Sequence, residues 1–366
     1  MSDNIFVYKK IDQPTKNILK NKLSVKDVNK SFRILLKKLK LIRAPFAYEL
    51  FPQIVINIKW KFDYLTNIRA NPSLLIHDLN YWNDQAEMLL KFQEEKWIND
   101  SIPNSKANQI DNIEAYNFMW PKNLSDNNKF ESSKKIAKLR IDQIYKLSKK
   151  EFNADPFYNK SILDSGCGPG RYVNIISEYN PKKIIGLDSG IDIVERNNKD
   201  LKNKKISFIH GNSINLPFKD KEFDFVLSAG VLHHVNMPIE KTIFEHSRVI
   251  KDGGLFFIFI AGKSGIELDV WDFCHKLLSE VPIEFVHDKF SSSINHLRLQ
   301  GILDHGFSSY FHTDRNDFEK LLNNNFSYLM RVPGVSGIDV TEELFRDDKY
   351  FKERFGSGNL RYICRK

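Results

Sequence analysis

Five short apolar runs separated by helix-length stretches constrain this chain more than any other feature. They are SILDSG from Ser161, KIIGLD from Lys183, ISFIHG from Ile206, FDFVLS from Phe223 and GLFFIFIAG from Gly254. Runs of this kind, each roughly 20 to 30 residues from the last, predict a mostly parallel sheet with crossover helices, an open α/β fold. The helix before them, KKIAKLRIDQIYKLSKKEF, is predicted to start on a cap from Ser132 or Ser133 and to gather Ile136, Leu139, Ile144 and Leu147 on one face.

The N-terminal part reads differently. Residues 15 to 43 place Ile18, Leu19, Leu23, Val28, Phe32, Leu35, Leu36 and Leu39 at spacings of three and four among basic residues, an amphipathic helical pattern that Pro45 ends. Gln53 to Trp60 reads as a strand and Asn80 to Trp97 as a helix. Segments 101–112 and 121–129 have loop composition, which puts a domain boundary near residue 130, with a largely helical accessory region before it. Residues 1–50 carry 12 Lys plus Arg against 4 Asp plus Glu, close to the whole formal charge of +9. With no aromatic-interleaved RNA motif beside it, this surplus reads as a solvated helical face before it reads as a nucleic-acid track.

At 42% hydrophobic and 28% charged the 366 residues have a globular composition, which excludes disorder throughout. No apolar run approaches the ~18 residues of a membrane span, so no span is expected and a cytoplasmic protein is. Cys167, Cys274 and Cys364 show no CxxC spacing, and the histidines show no HxxxH or HxH pattern, so neither a disulfide framework nor a metal site is expected.

The loop after the first run, Asp164-Ser165-Gly166-Cys167-Gly168-Pro169-Gly170-Arg171, is where an open α/β sheet holds its ligand. Its glycines follow GxGxG and not the dinucleotide series GxGxxG, and Asp164 stands two residues ahead of the first. A carboxylate there would repel a pyrophosphate and suits a cationic amino-acid group such as a methionyl ammonium. Asp188, closing the second run, suits a ribose diol, and Asn212, Ser213 and Ile214, after the third, an adenine edge.

In this order and spacing the segments resemble the class I methyltransferase family, particularly its branch similar to quinone-biosynthesis methyltransferases. LDSGCGPGR resembles the glycine motif, GLD the ribose-binding acid, GNSINLPF the adenine segment, FDFVLSAGVLHHV the fourth-strand motif, and RVIKDGG the turn usually written RxLKPGG. The match covers residues 160 to 262, with Asn212 where the family commonly has Asp and Asp252 in place of Pro. The resemblance implies a seven-stranded, mostly parallel Rossmann-like sheet. It implies S-adenosyl-L-methionine as cofactor, held by Asp164, Gly166, Cys167, Gly168, Gly170, Arg171, Asp188, Ser189, Asn212, Ser213, Ile214, Ser228 and Ala229. His233 and His234 are the candidate catalytic pair, set against a role in shaping the pocket.

Two stretches exceed the family core, 263–312 and 333–358. The first carries Trp271, Phe273, His275, Phe285, His287, Phe290, His296, His305 and His312, a mixture suited equally to a lid over an acceptor and to a packing subdomain. A helix from Thr313 to Asn324, capped by Thr313, and an antiparallel pair at 326–332 and 359–364 should complete the domain. The acceptor expected is a small molecule transferred to in line; the alternatives are an RNA acceptor using the basic N-terminal segment and a non-catalytic protein retaining the fold.

Overall fold

The computed structural model describes residues 25–39, 41, 76, 79–84, 86–87, 90, 114–119, 127–199, 201–235, 238–263, 275, 283–284, 287–288, 299, 303–304, 306–308, 310–335 and 356–366. The chain divides into two compact units, 1–106 and 107–366. In the first, helix α1 (Val25–Leu39) buries Phe32, Leu35 and Leu39, the face its periodicity predicts. Helical residues at 79–84 are tied to it: the Asn83 side-chain amide donates to the Ser31 carbonyl at 3.0 Å, and Lys38 pairs with Glu87 at 3.0 Å. Ile18, Leu19, Leu23 and the strand expected at Gln53 to Trp60 lie outside the described residues.

The second unit holds the seven-stranded α/β sheet. Its elements run α2 (Asn127–Phe152), β1 (Ser161–Ser165), α3 (Arg171–Ser177), β2 (Lys183–Asp188), α4 (Ile191–Lys199), β3 (Ile206–His210) and β4 (Phe223–Ala229). A single 3-10 turn (Leu232–His234), α5 (Ile239–Val249), β5 (Ile250–Ala261), α6 (Arg315–Asn323), β6 (Tyr328–Arg331) and β7 (Asn359–Arg365) follow. The strand order is β3-β2-β1-β4-β5-β7-β6. All five apolar runs are strands, paired in parallel, and β7 lies antiparallel between β5 and β6. Because the chain builds β1 to β3 outward and then returns to place β4 on the other side of β1, the order reverses at β1, and a crevice opens at its carboxyl end.

Each face of the sheet has its own core. On one, Ile162, Phe225, Leu227, Phe257 and Ile363 pack with Ile141 and Ile144 of α2 and Val173 of α3. On the other, Leu163, Val226, Phe256, Ile258 and Leu360 pack with Ile243 of α5 and Phe318 of α6. A register shift between Phe223 and Phe225 turns Phe223 toward the second core, breaking the strict alternation of β4.

Three expectations are corrected here. Helix α2 begins at Asn127, so Ser132 and Ser133 lie within it and do not cap it. Its buried stripe is Ala137, Arg140, Ile141, Ile144 and Ser148, leaving Leu139 exposed, because the sheet meets a face one position away from the most apolar one. The cap of α6 is Asp314, whose carboxylate accepts from the Asp317 N–H at 3.0 Å, while Thr313 bridges to Gly262. Asp314→Ala is accordingly expected to lower the melting temperature by a few degrees in a thermal scan, and Thr313→Val to leave the start of α6 intact by hydrogen exchange.

Candidate functional site

At the carboxyl end of β1 the chain turns through Gly166, Gly168 and Gly170, all with positive φ (79°, 48° and 74°). The turn is fastened to β2: the N–H groups of Gly166 and Cys167 donate to the Leu187 carbonyl at 2.8 and 2.9 Å, and Gly168 N–H donates to Asp188 Oδ2 at 2.7 Å. From the other side, Val231 closes on the turn so tightly that a Cβ at Gly166 would lie 2.4 Å from its Cγ1. Gly170 caps α3 in the left-handed conformation, and Arg171 begins the helix. Cys167 is buried, and that burial drives its thiol pKa well above the ordinary range, so it packs and does not react.

Asp164 points into this crevice with 1% of its surface exposed, and its Oδ2 has no hydrogen-bond partner. Burial, assisted by the nearby Asp188 charge and opposed by Arg171, pushes its pKa up to about 8. Asp188 is raised as well, chiefly by burial, against the hydrogen bonds from Gly190, Gly168 and Ser189 that favour its ionised form. Two carboxylates thus stand near bare glycine backbone, one hydrogen-bonded at both oxygens and one with an unsatisfied oxygen. A buried acceptor without a donor is costly, and its persistence calls for a cationic or N–H-bearing occupant.

The loop after β3 is held from within. Asn212 Oδ1 accepts from the Ile214 N–H at 2.9 Å, so this oxygen already shapes its own turn. Ser213 Oγ meets Ser165 Oγ at 2.9 Å, and Ser165 Oγ meets His246 Nε2 at 3.0 Å, while His246 Nδ1 donates to the Thr242 carbonyl. Burial lowers the His246 pKa to about 4, keeping the ring neutral with Nε2 as acceptor. Arg248 grips the Leu216 and Phe218 carbonyls and Glu245, whose Oε2 accepts from Leu216 N–H. The fully buried Ser228 hydroxyl donates to the Ser165 carbonyl, so it supports the end of β1 from inside the sheet. Ala229 ends β4, and Asp252, in the turn that usually has Pro, pairs with Lys221 at 2.6 Å.

His233 and His234 follow β4 and do different things. His233 is buried, its Nδ1 accepts the Ala261 N–H at the end of β5, and its ring stacks on Tyr310 with centroids 5.1 Å apart. His234 is only partly buried; its Nε2 lies 2.8 Å from Tyr116 Oη, which donates to Asp304 Oδ1 at 2.6 Å. Tyr116 comes from the helical residues 114–119, whose Asn117 also reaches Gly190, where a Cβ would lie 2.7 Å from its Oδ1. That short segment therefore touches both the end of β2 and the end of β4. Of the 263–312 insertion, Asp304, Ser308, Tyr310 and His312 lie at or next to the histidine pair, and His275 instead meets the Gly306 carbonyl. Trp271, Phe273, Phe285, Phe290, His296 and His305 lie outside the described residues.

Residues 163–258, which contain this loop and both carboxylates, match the family described as Methyltransferase domain. This segment belongs to that methyltransferase-domain family. Among relatives of the domain, an uncharacterized protein of Methanocaldococcus jannaschii is 34% identical over 128 residues, 35% of this chain and 51% of that protein. "Probable tRNA methyltransferase 9B" of Mus musculus is 27% identical over 164 residues, covering 42% of this chain and 34% of its own length. The mitochondrial ubiquinone biosynthesis O-methyltransferase of Dictyostelium discoideum is 27% identical over 122 residues, 30% of this chain and 37% of the enzyme. The chain thus spans about half the length of these relatives or less. Among the described residues no group of three His, Cys, Asp or Glu side chains is placed to hold a metal, and no helix is long and apolar enough to cross a membrane.

The domain brings together Asp164, the glycine loop, Asp188 and the 212–214 loop, as their order in the sequence predicts. Tyr116, Asp304, His246 and Glu245 form part of the same surroundings without a motif to announce them, and Arg248 belongs to those surroundings too. Only Arg248 stood inside a recognisable segment.

Proposed function

We propose that this chain binds S-adenosyl-L-methionine at the end of β1 and transfers its methyl group to a small-molecule acceptor. The observation that carries the cofactor reading is the buried Asp164 Oδ2 without a donor, next to Asp188 and a glycine turn of positive φ. Asp164 supplies an anion for the methionyl ammonium, Asp188 has acceptor capacity left for the ribose diol, and the Asn212–Ile214 loop offers edges for the adenine. Gly166, Cys167, Gly168, Gly170, Arg171, Ser189 and Ala229 would shape the cradle through backbone and packing, and Ser228 would support it from below.

When bound, the cofactor supplies an electrophilic methyl group on a sulfonium. The protein's task is then positioning, which can supply ~7 to 11 kcal/mol of such a barrier. The small-molecule reading is supported by residues 114–119, which reach both Gly190 and His234, and by Tyr310, which packs on the histidine pair: these would enclose the chemical end.

An RNA acceptor is the second reading, favoured by the relative named as a tRNA methyltransferase and by the exposed Lys30, Arg33 and Lys37 of α1. Methyl-labelled cofactor incubated separately with a metabolite extract and with total RNA decides between them. Label entering the small-molecule pool is expected; label entering RNA, with binding that falls steeply as salt rises, would replace the first reading by the second. In calorimetry the wild-type chain should give a saturable heat with the cofactor, and Asp188→Ala should weaken it tenfold or more. A wild-type chain with no heat at millimolar ligand defeats both readings.

A further inference from the structure

Resting on the cofactor reading above, we propose that His246 is a positioning residue for the cofactor. It acts through the hydroxyls of Ser165 and Ser213, which it aligns in one direction, so that the adenine loop stays registered on the end of β1.

Counting donors and acceptors fixes that direction. His246 Nδ1 lies 2.7 Å from the Thr242 carbonyl, one turn back on α5, and a carbonyl only accepts, so the ring carries a proton on Nδ1. Burial keeps the ring neutral, which leaves Nε2 with a lone pair. At 3.0 Å that lone pair takes the Ser165 hydroxyl proton. With its one proton directed there, Ser165 Oγ is the acceptor in its 2.9 Å contact with Ser213 Oγ, and Ser213 is the donor. Each proton of the chain thus points from the loop toward α5, and Ser165, Ser213 and His246 are all buried. The ring is held in its aim by stacking on Phe256, with centroids 5.3 Å apart.

Position gives the chain its consequence. Ser165 stands between Asp164 and the glycine turn, and its carbonyl accepts from Ser228 Oγ at 3.2 Å. Ser213 belongs to the loop after β3, and β2 lies between β1 and β3, so the two strands share no ladder. The hydroxyl pair crosses that gap directly, joining the loop for the adenine to the strand end that carries Asp164. Neighbours of His246 on α5 hold the same loop farther along: Glu245 Oε2 accepts from Leu216 N–H, and Arg248 donates to the Leu216 and Phe218 carbonyls. Glu245 and Arg248 fasten the loop to the helix, and the His246 branch carries the registration on to β1. Removing the Nε2 acceptor frees the Ser165 proton and leaves the pair without a fixed polarity in a buried place, where each lost hydrogen bond counts. A loop set in place before the ligand arrives binds more tightly because less has to be ordered.

A double-mutant cycle on the full chain, read by calorimetric titration with S-adenosylhomocysteine, tests the proposal. His246→Phe keeps an aromatic ring against Phe256 and removes the Nε2 acceptor; Ser213→Ala removes the donor at the other end. Each is expected to weaken binding about tenfold, and the double variant by no more than about tenfold, because both break one chain. Effects that multiply to about a hundredfold overturn the positioning role, since a residue that only packs would act independently of a serine hydroxyl two side chains away. Either single variant binding like the wild type overturns it as well. Where a thermal melt shows that His246→Phe does not fold, Ser165→Ala takes its place in the cycle with the same expected and contrary results. Nitrogen-15 NMR of labelled histidine should show wild-type His246 protonated at Nδ1, and a ring protonated at Nε2 overturns the direction of the chain. A wild-type chain that does not bind S-adenosylhomocysteine overturns the cofactor reading itself, and the role of His246 falls with it; binding with multiplying effects overturns the role of His246 alone.

Discussion

Asp164→Asn is expected to remove cofactor binding while raising the melting temperature of the ligand-free chain. The amide keeps the shape of the carboxyl group but offers no charge to an ammonium, and truncating one member of a desolvated charge pair weakens binding on the order of 10²-fold or more. The stability effect has the opposite sign. Burial moves the Asp164 pKa from 3.8 to about 8, so the folded state holds a proton that the unfolded state releases. That penalty is absent near pH 4, grows as pH rises through neutrality and levels off above about pH 8; the gain of the variant follows the same course. Thermal scans at pH 4, 6 and 8 should show the difference widening, and equal melting temperatures at pH 8 would contradict the burial argument.

The same carboxyl is expected to make cofactor affinity pH-dependent. An ammonium requires the ionised form, so below about pH 8 the wild-type dissociation constant should rise by up to tenfold per pH unit, with a proton released on binding. Calorimetry in buffers of different ionisation heat measures that proton directly, and Asp164→Asn should abolish it.

Gly166→Ala is the second large effect expected. The added methyl would sit 2.4 Å from Val231 Cγ1 while the backbone is held at φ 79°, so steric crowding and left-handed strain act together. These cost roughly 2 to 5 kcal/mol combined. Gly230→Ala is the matched control: it has φ 76°, but its nearest neighbour is Phe259 at 3.7 Å, leaving the strain without the collision. Denaturant melts should separate the two by about the overpacking contribution, with Gly166→Ala the less stable. A Val231→Ala background should recover part of the loss, because it removes the atoms that collide.

What the sequence made legible was local. The five apolar runs became β1 to β5 because their spacing leaves room only for crossover helices, and GxGxG after β1 located the turn because only glycine fits there. The cap of α6 was misread by one residue, since Thr313 and Asp314 are both good caps and the bridge from Thr313 to Gly262, remote in sequence, decides between them. The phase of α2 was misread in part for a similar reason: Ile144 is covered and Leu147 packs on the core as expected, but Leu139, as apolar as Ile141, is left exposed, and only the docked sheet selects which is covered. Tyr116 and Asp304 lie 188 residues apart in the chain, the first between two segments of loop composition and the second in the 263–312 insertion, so no periodicity links them. His246 resembles any histidine on an amphipathic helix until the fold brings it to Ser165. Pairing across long separations is a property of the packed state, and one sequence by itself does not encode it as a pattern.

The place of β7 between β5 and β6 has a consequence for how the domain assembles. Strand β6 is synthesised before β7, yet its ladder partner is β7, so it must wait unpaired until residues 359–365 have joined β5. The nascent domain therefore exposes the β5 edge, with Phe257 and Phe259 on it, for the time needed to make about a hundred more residues. A newly made chain is most vulnerable to misassociation in that interval, and a chaperone that shields a strand edge would act there.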